Sequence, residues 1–412
     1  MSSVVPEGWA EEKLGNVSAI IDPHPSHRAP PEVNGGIPFL GIGDLKENGD
    51  IDTSKVRLVA REEILEHEKR YRISENTIGF GRVASIGKIV DFRKEKRDVL
   101  ISPTLAVIEP HSVQKKYLVN YLKSQLIADQ LDFFITGSTR SSLGIQLLRE
   151  LSILLPPLPE QKKIASILTS VDEVIENTQK QIDKLQDLKK ATMNELLTKG
   201  IGHTEFKDSE LGRIPKSWEV ATLESVSSFR RGSFPQPYGN PEWYDDNGFP
   251  FVQVFDIAFN RRLKTSTKVK ISKKAADMSV FIPAGSLLVS LQGSIGRVAV
   301  TQYDAYVDRT VLIFSKYESS LERFFFSIMI EELFRRQKDV ADGGIIKTIT
   351  KETLRSFEIT VPPLSEQRKI GVTIQSIEGS ISKHESKLAQ TQSLKKSLMQ
   401  DLLTGKVRVT VN

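Results

Sequence analysis

One nine-residue stretch occurs twice in the chain, as Pro156-Pro157-Leu158-Pro159-Glu160-Gln161-Lys162-Lys163-Ile164 and, 206 residues later, as Pro362-Pro363-Leu364-Ser365-Glu366-Gln367-Arg368-Lys369-Ile370. At the same spacing, Leu188-Lys189-Lys190 returns as Leu394-Lys395-Lys396, and Leu196-Leu197-Thr198 returns as Leu402-Leu403-Thr404. Solenoids and propellers repeat every 20 to about 50 residues. This much longer period therefore indicates the tandem duplication of a whole domain together with the element that follows it.

Weaker matches precede each copy of this stretch. Pro6-Glu7-Gly8-Trp9 corresponds to Pro215-Lys216-Ser217-Trp218, and Ser85-Ile86-Gly87-Lys88-Ile89 corresponds to Ser294-Ile295-Gly296-Arg297-Val298. The chain is therefore predicted to consist of region A (1–155), region B (156–200), region A′ (201–361) and region B′ (362–412). Such a duplication favours a two-fold pseudosymmetry.

Each B region is predicted to be one long helix. In region B′ the positions Ile370, Ile374, Ile377, Ile381, His384, Leu388 and Thr391 follow in alternating steps of four and three, which is a heptad pattern. The Pro-Pro pair marks the start of each helix, and a glycine suited to a left-handed cap follows its end. A helix of about 39 residues is not stable alone, so we expect the two copies to pair as an antiparallel coiled coil. Self-association of whole chains through these helices is the alternative.

Both A regions alternate short β-rich runs with turn residues. Such runs include 77–90 and 286–300, and helices are predicted at Tyr117 to Leu131 and at Leu321 to Lys338. The predicted fold class is α+β, with two mixed α/β domains separated by two long helices that pack as an antiparallel coiled coil with pseudo-two-fold symmetry.

The composition excludes several classes of protein. The 412 residues include no Cys, which excludes disulfide frameworks, thiolate nucleophiles and cysteine-ligated zinc. Neither a signal-peptide pattern nor a run of about 18 apolar residues occurs, so a cytoplasmic location is expected. The net charge of +5 permits a polyanionic partner, although a mildly basic, solvated surface explains it equally well.

No set of residues has the spacing of a catalytic or metal site. The stretch from Gly81 to Gly87-Lys88-Ile89 resembles a phosphate-binding loop, but it has one residue too many and an Ile where a hydroxyl should bind Mg²⁺. The six His residues lack metal-ligand spacing. No catalytic residue, no metal and no bound cofactor are therefore predicted for this chain.

Cationic loops rich in small residues occur in both A regions. Arginine, amide and hydroxyl groups are the donors that proteins use toward phosphates and base edges. Any one such loop is more often ordinary surface, but their recurrence in both regions makes double-stranded DNA the leading candidate partner. The candidate DNA-binding residues are Arg93, Lys94, Arg97, Ser138, Arg140, Arg230, Arg231, Gln292, Ser294, Arg297 and Lys347.

The paired Pro-Pro-Leu-x-Glu-Gln motifs, each followed by a long helix that ends in Leu-Leu-Thr, resemble the specificity subunit of type I restriction-modification systems. The resemblance covers essentially the whole length, with A and A′ as target-recognition domains and B and B′ as helical repeats. It implies a non-catalytic subunit that reads an asymmetric, bipartite DNA target, one half-site per recognition domain.

The resemblance also implies partner proteins. Two copies of a methylation subunit would bind the helical repeats, and a restriction subunit would join them. S-adenosylmethionine, ATP and Mg²⁺ are expected on those partners. The candidate partner-binding residues are Glu160, Gln161, Ile164, Glu366, Gln367 and Ile370.

Two other functions stay open on the sequence alone. An autonomous nuclease or methyltransferase with a degenerate site would modify DNA without partners, given Mg²⁺ or S-adenosylmethionine. A scaffold that does not bind DNA would use only its helices. A steep fall of DNA affinity with salt, together with a preference for one sequence, would exclude the scaffold.

Overall fold

The computed structural model of the chain describes residues 5–24, 29–45, 52, 54–92, 98–136, 142–258, 260–340 and 351–411. The chain forms two compact units: unit 1 comprises Met1–Lys180 and Glu385–Asn412, and unit 2 comprises Gln181–His384. Each unit therefore contains one A region together with half of each B region.

Region A of unit 1 is built on short strands. In its described part these are β1 (Ala10–Lys13), β2 (Ser18–Ile21), β3 (Glu32–Leu40), β4 (Arg57–Val59), β5 (Ile78–Gly81), β6 (Ile89–Asp91), β7 (Leu100–Ile101), β8 (Leu105–Pro110) and β9 (Ser152–Leu155). One antiparallel sheet has the order β2-β8-β5-β6, and a second has the order β4-β3-β7, with β3 and β7 parallel. The pair β1-β9 brings the beginning and the end of the region side by side.

Short helices pack on these sheets: α1 (Leu14–Val17), α2 (Glu63–Glu68), α3 (Lys115–Leu122), α4 (Gln125–Thr136) and α5 (Ile145–Arg149). The prediction of helical structure from Tyr117 to Leu131 is confirmed, except that the helix is interrupted at residues 123 and 124, between α3 and α4. There the carbonyl of Tyr121 accepts from both the hydroxyl and the amide of Ser124, at 2.6 and 3.0 Å, in a tight turn that closes α3.

Region A′ of unit 2 repeats this plan with additions. Its strands are β10 (Phe206–Ser209), β11 (Gly212–Pro215), β12 (Glu219–Thr222), β13 (Ser227–Arg231), β14 (Tyr244–Val252), β15 (Val269–Ile271), β16 (Val280–Ile282), β17 (Leu287–Ser290), β18 (Val298–Val300), β19 (Ala305–Val307), β20 (Val311–Tyr317) and β21 (Glu358–Val361). The main sheets have the orders β13-β20-β17-β18 and β15-β14-β19-β16, and β12 pairs with β21 as β1 pairs with β9. The helices are α7 (Leu223–Val226), α8 (Lys273–Ala276), α9 (Arg323–Val340) and α10 (Lys351–Ser356).

The prediction of one long helix in each B region is confirmed. Helix α6 (Leu158–Lys199) has 42 residues and α11 (Leu364–Leu403) has 40. Just beyond their ends, Gly200 and Gly405 take φ values of +66° and +70°, which other residues rarely adopt. None of the described helices is both long enough and apolar enough to cross a lipid bilayer.

Within each unit the two long helices run antiparallel. In unit 1, Asp172 of α6 pairs with Lys395 of α11 at 2.6 Å, and Glu160 at the start of α6 pairs with Arg408 beyond the end of α11. In unit 2, Lys189 of α6 pairs with Glu378 of α11 at 2.7 Å. In that unit the amide of Ile201, beyond the end of α6, donates to Glu366 at the start of α11.

The main hydrophobic core of each unit joins region A or A′ to both long helices. In unit 1, Ile164 and Leu168 of α6 and Leu403 of α11 pack with Trp9 and Tyr117. In unit 2, residues at matching positions, Ile370, Ile374 and Leu197, pack with Trp218 and Phe325. Each such fully buried side chain contributes about 1.5–3 kcal/mol of transfer free energy. The predicted α+β layout, with two mixed domains and two long helices, is confirmed.

Candidate nucleic-acid interface

Three segments of unit 2 meet at one end of the sheet β13-β20-β17-β18. They are the end of β13, the loop 291–297 between β17 and β18, and the turn 308–310 between β19 and β20. The amide of Leu291 donates to the carbonyl of Thr310 at 2.8 Å, and the amide of Gly232 donates to the carbonyl of Val311 at 3.0 Å. These backbone hydrogen bonds place exposed polar side chains from all three segments at the same edge of the domain.

The loop 291–297 has a tightly held backbone. Gly293 and Gly296 take φ values of +66° and +82°. The Ser290 hydroxyl accepts a hydrogen bond from the amide of Arg297 at 2.9 Å and donates to the carbonyl of Ser294. Gln292 and Ser294 are exposed as a result, whereas Arg297 at the base of the loop is half-buried.

Asp308 is buried and organises the adjacent turn. Its carboxylate accepts hydrogen bonds from the amide of Thr310, at 2.8 Å, and from the Tyr238 hydroxyl. Burial and the neighbouring Asp308 carboxylate raise the pKa of Tyr238, so the phenol stays protonated and can donate. The guanidinium of the exposed residue Arg309 lies 5.1 Å from the centre of the Tyr238 ring, and this cation–π contact holds it in place.

A short 3-10 helix, Val254–Asp256, forms the next part of this edge. Phe255 is 39% exposed, and the ammonium of Lys268 lies 5.3 Å from the centre of its ring. A Cβ atom on Gly293 would lie 3.9 Å from Val254, so the 3-10 helix borders the loop 291–297. We call the set Arg231, Phe255, Lys268, Gln292, Ser294 and Arg309 the unit 2 surface.

Asp256 supports this surface from below. It is fully buried, and its carboxylate accepts hydrogen bonds from the amides of Gln253, at 2.9 Å, and Lys268, at 3.0 Å. Burial raises its pKa, although the two amides and the nearby lysines oppose that shift. Asp44 of unit 1 makes the corresponding bond to the amide of Gly41 at 2.6 Å. Both residues therefore fix a turn.

The matching loop of unit 1 has the same backbone shape. Ala84 and Gly87 take φ values of +60° and +84°, close to those of Gly293 and Gly296. The amide of Gly87 donates to the carbonyl of Gly81 at 3.0 Å, as the amide of Gly296 does to Ser290 at 2.9 Å. One scaffold is therefore used in both units.

The side chains on this scaffold differ between the units. Asp22 holds the strand position of Arg231. The preceding residues, Ile21 and Arg230, pair with Val107 of β8 and Ile313 of β20, which are equivalent positions in the two sheets. Ser102-Pro103-Thr104 holds the place of Asp308-Arg309-Thr310. Unit 1 therefore carries neither arginine at these positions.

Arg82 of unit 1 is directed inward. Its guanidinium donates to the Asp22 carboxylate at 3.1 Å and to the carbonyl of Leu143 at 2.9 Å. The side chain is only 11% exposed. The charges of Arg82 and Asp22 are therefore largely satisfied within the domain.

The Glu-Gln pair of the repeated motif fastens region A to its helix in unit 1. Glu160 accepts a hydrogen bond from the indole Nε1 of Trp9 at 3.3 Å and another from the guanidinium of Arg408 at 2.6 Å. The Arg408 guanidinium, helped by Trp9, holds the pKa of Glu160 below its usual range. The next residue, Gln161, accepts from the amide of Gln114 at 2.9 Å, just before α3. We call Trp9, Glu160 and Arg408 the unit 1 latch.

Unit 2 contains the same arrangement. Glu366 accepts from the indole Nε1 of Trp218 at 3.0 Å, and His203 Nε2 lies 2.8 Å from its carboxylate, in the place of Arg408. Gln367 accepts from the amide of Glu322 at 2.8 Å, just before α9. We call Trp218, Glu366 and His203 the unit 2 latch.

These contacts bear on one set of predicted residues. The candidate partner-binding residues Glu160, Gln161, Ile164, Glu366, Gln367 and Ile370 are each at least 92% covered by their own unit, and that they mark partner-binding helices stays a prediction. The two glutamates and two glutamines hold an A region against its helix, and the two isoleucines belong to the hydrophobic cores. The paired motif therefore has an internal, structural role.

Each unit also has an open cleft between a long helix and a helix of its recognition region. The unit 2 cleft, of about 710 Å³, lies between α6 and α9, and the unit 1 cleft, of about 540 Å³, lies between α11 and α4. The long-helix residues that line them are Gln186, Lys189, Lys190, Met193 and Asn194 in unit 2, and Gln392, Lys395, Lys396, Met399 and Gln400 in unit 1. The two sets are equivalent positions of the repeat.

The family model described as "Type I restriction modification DNA specificity domain" matches the chain twice, at residues 6–187 and 215–391. The chain belongs to this family. Each match begins just before the tryptophan of a latch and ends within a long helix.

Relatives of the specificity family match nearly the whole chain. A Methanocaldococcus jannaschii protein with the provisional name MjaX type I restriction enzyme specificity subunit is 28% identical, over 98% of this chain and 95% of its own. The MjaVIII type I restriction enzyme specificity subunit of the same organism is 25% identical, over 98% and 94%. A solved specificity subunit from M. genitalium has a TM-score of 0.57 at 14% identity, covering 100% of this chain and 98% of its own, and shows the same fold.

The specificity family defines what kind of protein this is. The chain is a DNA sequence-specificity subunit of a type I restriction-modification system and is itself non-catalytic. Its partners are DNA and the modification and restriction subunits of such a system, and the family implies no catalytic cofactor on this chain. Among the described residues, no group of three His, Asp or Glu side chains is arranged to hold a metal ion.

The specificity subunit brings together some of the residues predicted to bind DNA. Arg231, Gln292 and Ser294 lie on the unit 2 surface, whereas Arg297 is half-buried at the base of its loop, and Arg230 precedes Arg231 on a strand and so points to the opposite face. The predicted residues Arg93, Lys94, Arg97, Ser138, Arg140 and Lys347 lie outside the described residues.

Sequence reasoning missed three members of the unit 2 surface, which are Phe255, Lys268 and Arg309. Arg309 carried a signal, because the polar run Asp308-Arg309-Thr310 interrupts two apolar strands. Phe255 and Lys268 carried none, since tertiary pairing alone brings them to this edge.

Proposed function

We propose that this specificity subunit directs methylation to an asymmetric, bipartite DNA sequence, with one half-site read by each unit. The observation that carries the proposal is the shared loop scaffold of the two units, on which Asp22 and Arg231 hold equivalent positions. One backbone that carries different side chains suits two different half-sites. Regions A and A′ (1–155 and 201–361) would act as the readers, and regions B and B′ (156–200 and 362–412) as the spacer.

The unit 2 surface supports the part of the proposal that concerns DNA contact. Arg231, Lys268 and Arg309 supply positive charge for phosphates or guanine edges, and Gln292 and Ser294 supply the donors and acceptors that read bases. The exposed ring of Phe255 can pack against a thymine methyl group or a sugar. The predicted residues Arg93, Lys94, Arg97, Ser138, Arg140, Arg230, Arg297 and Lys347 remain part of this proposal as further contacts.

We propose further that two copies of the methylation subunit bind, one at each of the two clefts. The clefts are lined by equivalent residues of the repeat, as binding of two identical partners requires. Each combines lysines with an apolar Met193 or Met399, a mixture typical of protein interfaces. In this proposal S-adenosylmethionine binds the methylation subunits, ATP and Mg²⁺ bind the restriction subunit, and the complex acts on genomic DNA in the cytoplasm.

The deciding experiment maps adenine methylation across a genome in cells that carry the methylation subunit, with and without this chain. The proposal expects one gapped motif that appears only when the chain is present. Exchanging residues 1–155 for another recognition domain is expected to change one half of that motif and leave the other half unchanged. Identical methylation in both strains would contradict the proposal and favour a scaffold.

A further inference from the structure

A loop of unit 2 inserts an arginine among the helices. The loop follows the 3-10 helix that carries Phe255, and it is closed by a backbone bridge between Ile257 and Leu263. At its tip Arg261 takes a φ of +55°, a left-handed conformation that is strained for a non-glycine residue. The carbonyl of Arg261 accepts from the amide of Val300 at 3.0 Å, which ties the tip to the edge of the main sheet.

The side chain of Arg261 joins three helices. It is 2% exposed, and its guanidinium forms ion pairs with Glu331 of α9 and Glu378 of α11. Glu378 in turn pairs with Lys189 of α6 at 2.7 Å. We call Arg261, Glu331, Glu378 and Lys189 the charge cluster; it contains two positive and two negative groups.

Stability alone does not explain a buried arginine that pairs with two partly exposed glutamates from a strained loop. Replacing buried ion pairs by apolar side chains of similar volume is often neutral or stabilising, because taking charges out of water is expensive. Ion pairs of fixed geometry do, however, define one arrangement of the elements that they join. The strained backbone of Arg261 is further evidence that placement of the group matters here.

The loop that carries Arg261 is directly connected to the unit 2 surface. Asp256 ends the 3-10 helix, next to Phe255. Its carboxylate accepts a hydrogen bond from the amide of Lys268 at 3.0 Å, and its carbonyl accepts one from the amide of Lys264 at 2.9 Å. In the chain, the loop that carries Arg261 lies between Asp256 and Lys264. A shift of Arg261 against the helices therefore moves Phe255 and Lys268 with it.

We propose that Arg261 is a positioning residue for DNA recognition, which holds the reading surface of unit 2 at one orientation on α6 and α11 and thereby restricts the gap between the half-sites. The inference rests on the proposed function, because it requires a bipartite target. Helices α6 and α11 each contribute residues to both units, so on this proposal a change in how region A′ is seated on them is expected to alter the gap that is accepted.

The test uses the complex of this chain with its methylation subunits. A plasmid library carries the two half-sites mapped with the wild-type chain, separated by the wild-type gap or by gaps one or two base pairs longer or shorter. Methylation of each member is read by sequencing. For Arg261→Met we expect the preference for the wild-type gap to fall by about tenfold or more.

Three further variants separate positioning from general stability. Arg261→Lys keeps the charge but cannot bridge two carboxylates as a planar fork does, so an intermediate gap preference is expected. Glu331→Gln removes the ion pair between Arg261 and α9. Its gap preference is measured in place of that of Arg261→Met if the latter yields no complex. Arg262→Met removes the same charge from the adjacent, exposed position and is expected to keep the wild-type gap preference.

The outcomes are distinguishable. If the complexes of Arg261→Met and Glu331→Gln keep the wild-type gap preference and lose only thermal stability, the cluster is purely structural and the inference is overturned. If the wild-type chain itself yields no bipartite motif, the proposed function is contradicted, and the inference about Arg261 is overturned with it.

Discussion

The indole Nε1 of Trp218 donates to Glu366 at 3.0 Å, and Trp9 makes the same bond to Glu160 at 3.3 Å. The partners are 148 and 151 positions apart in the chain. Each bond fastens the first residues of a recognition region to the start of the helix that follows that region, so the repeated motif closes each unit.

Removing the acceptor of the unit 2 latch is expected to destabilise the protein. Glu366→Ala leaves the fully buried indole of Trp218 without its acceptor, and an unsatisfied buried donor costs about 1–3 kcal/mol. The free energy of unfolding, measured with denaturant, is expected to fall by that amount. Glu385→Ala on the exposed face of α11 is the control, and equal losses in both variants would contradict the assignment.

The unit 1 latch is expected to depend on pH. The Arg408 guanidinium holds the folded-state pKa of Glu160 below its ordinary value of 4.5, so ionised Glu160 stabilises the fold above that value, and this stabilisation is lost as the pH falls through the folded pKa. Arg408→Gln is therefore expected to reduce the free energy of unfolding at pH 7 and to reduce it progressively less as the pH is lowered below 4.5. A difference from wild type that stays constant as the pH falls through this range would contradict this, and Lys387→Gln serves as the exposed control.

The unit 2 surface is expected to contribute to DNA affinity through charge. Arg309→Ala and Arg231→Ala should each weaken binding of the methylation complex to a duplex with the mapped target by about five- to tenfold. Each lost phosphate contact should lower the slope of log affinity against log salt by about 0.9. Fluorescence anisotropy at several salt concentrations measures both quantities. Lys207→Ala, an exposed change on β10, should alter neither, and unchanged affinity in the arginine variants would remove them from the interface.

The two clefts are expected to bind methylation subunits independently. Lys190→Glu and Lys396→Glu reverse one charge in the unit 2 and unit 1 clefts, and each variant alone should form complexes with one methylation subunit. The double variant should bind none. Mass photometry counts the bound subunits, and Lys184→Glu, exposed elsewhere on α6, is the control. Two bound subunits in the double variant would contradict the proposed sites.

Much of the architecture follows from the sequence. The repeated Pro-Pro-Leu-x-Glu-Gln motif and the heptad spacing predict two long helices, because both signals are local and periodic. The alternation of apolar runs and turns predicts mixed domains for the same reason. The break between α3 and α4 was missed because it does not interrupt the apolar pattern.

The site was less accessible to sequence reasoning. The Glu-Gln pair was interpreted as a partner-binding surface because its recurrence was visible, whereas the tryptophan that covers each glutamate lies about 150 residues away. The inward direction of Arg82 likewise depends on Asp22 and the carbonyl of Leu143, which lie about 60 positions away on either side in the chain. Long-range pairing of this kind leaves no periodic trace.

The core of unit 1 includes Leu402 and Leu403 beside Trp9 and Ile164. During synthesis on the ribosome, region A emerges early, but the apolar surface around Trp9 cannot be covered until residues 402 and 403 have left the exit tunnel. Unit 2, whose segments are contiguous from 181 to 384, has no such delay. The part of this core that Leu402 and Leu403 cover therefore stays open until all of unit 2 has been translated, so the two units are completed in the reverse of the order in which they begin.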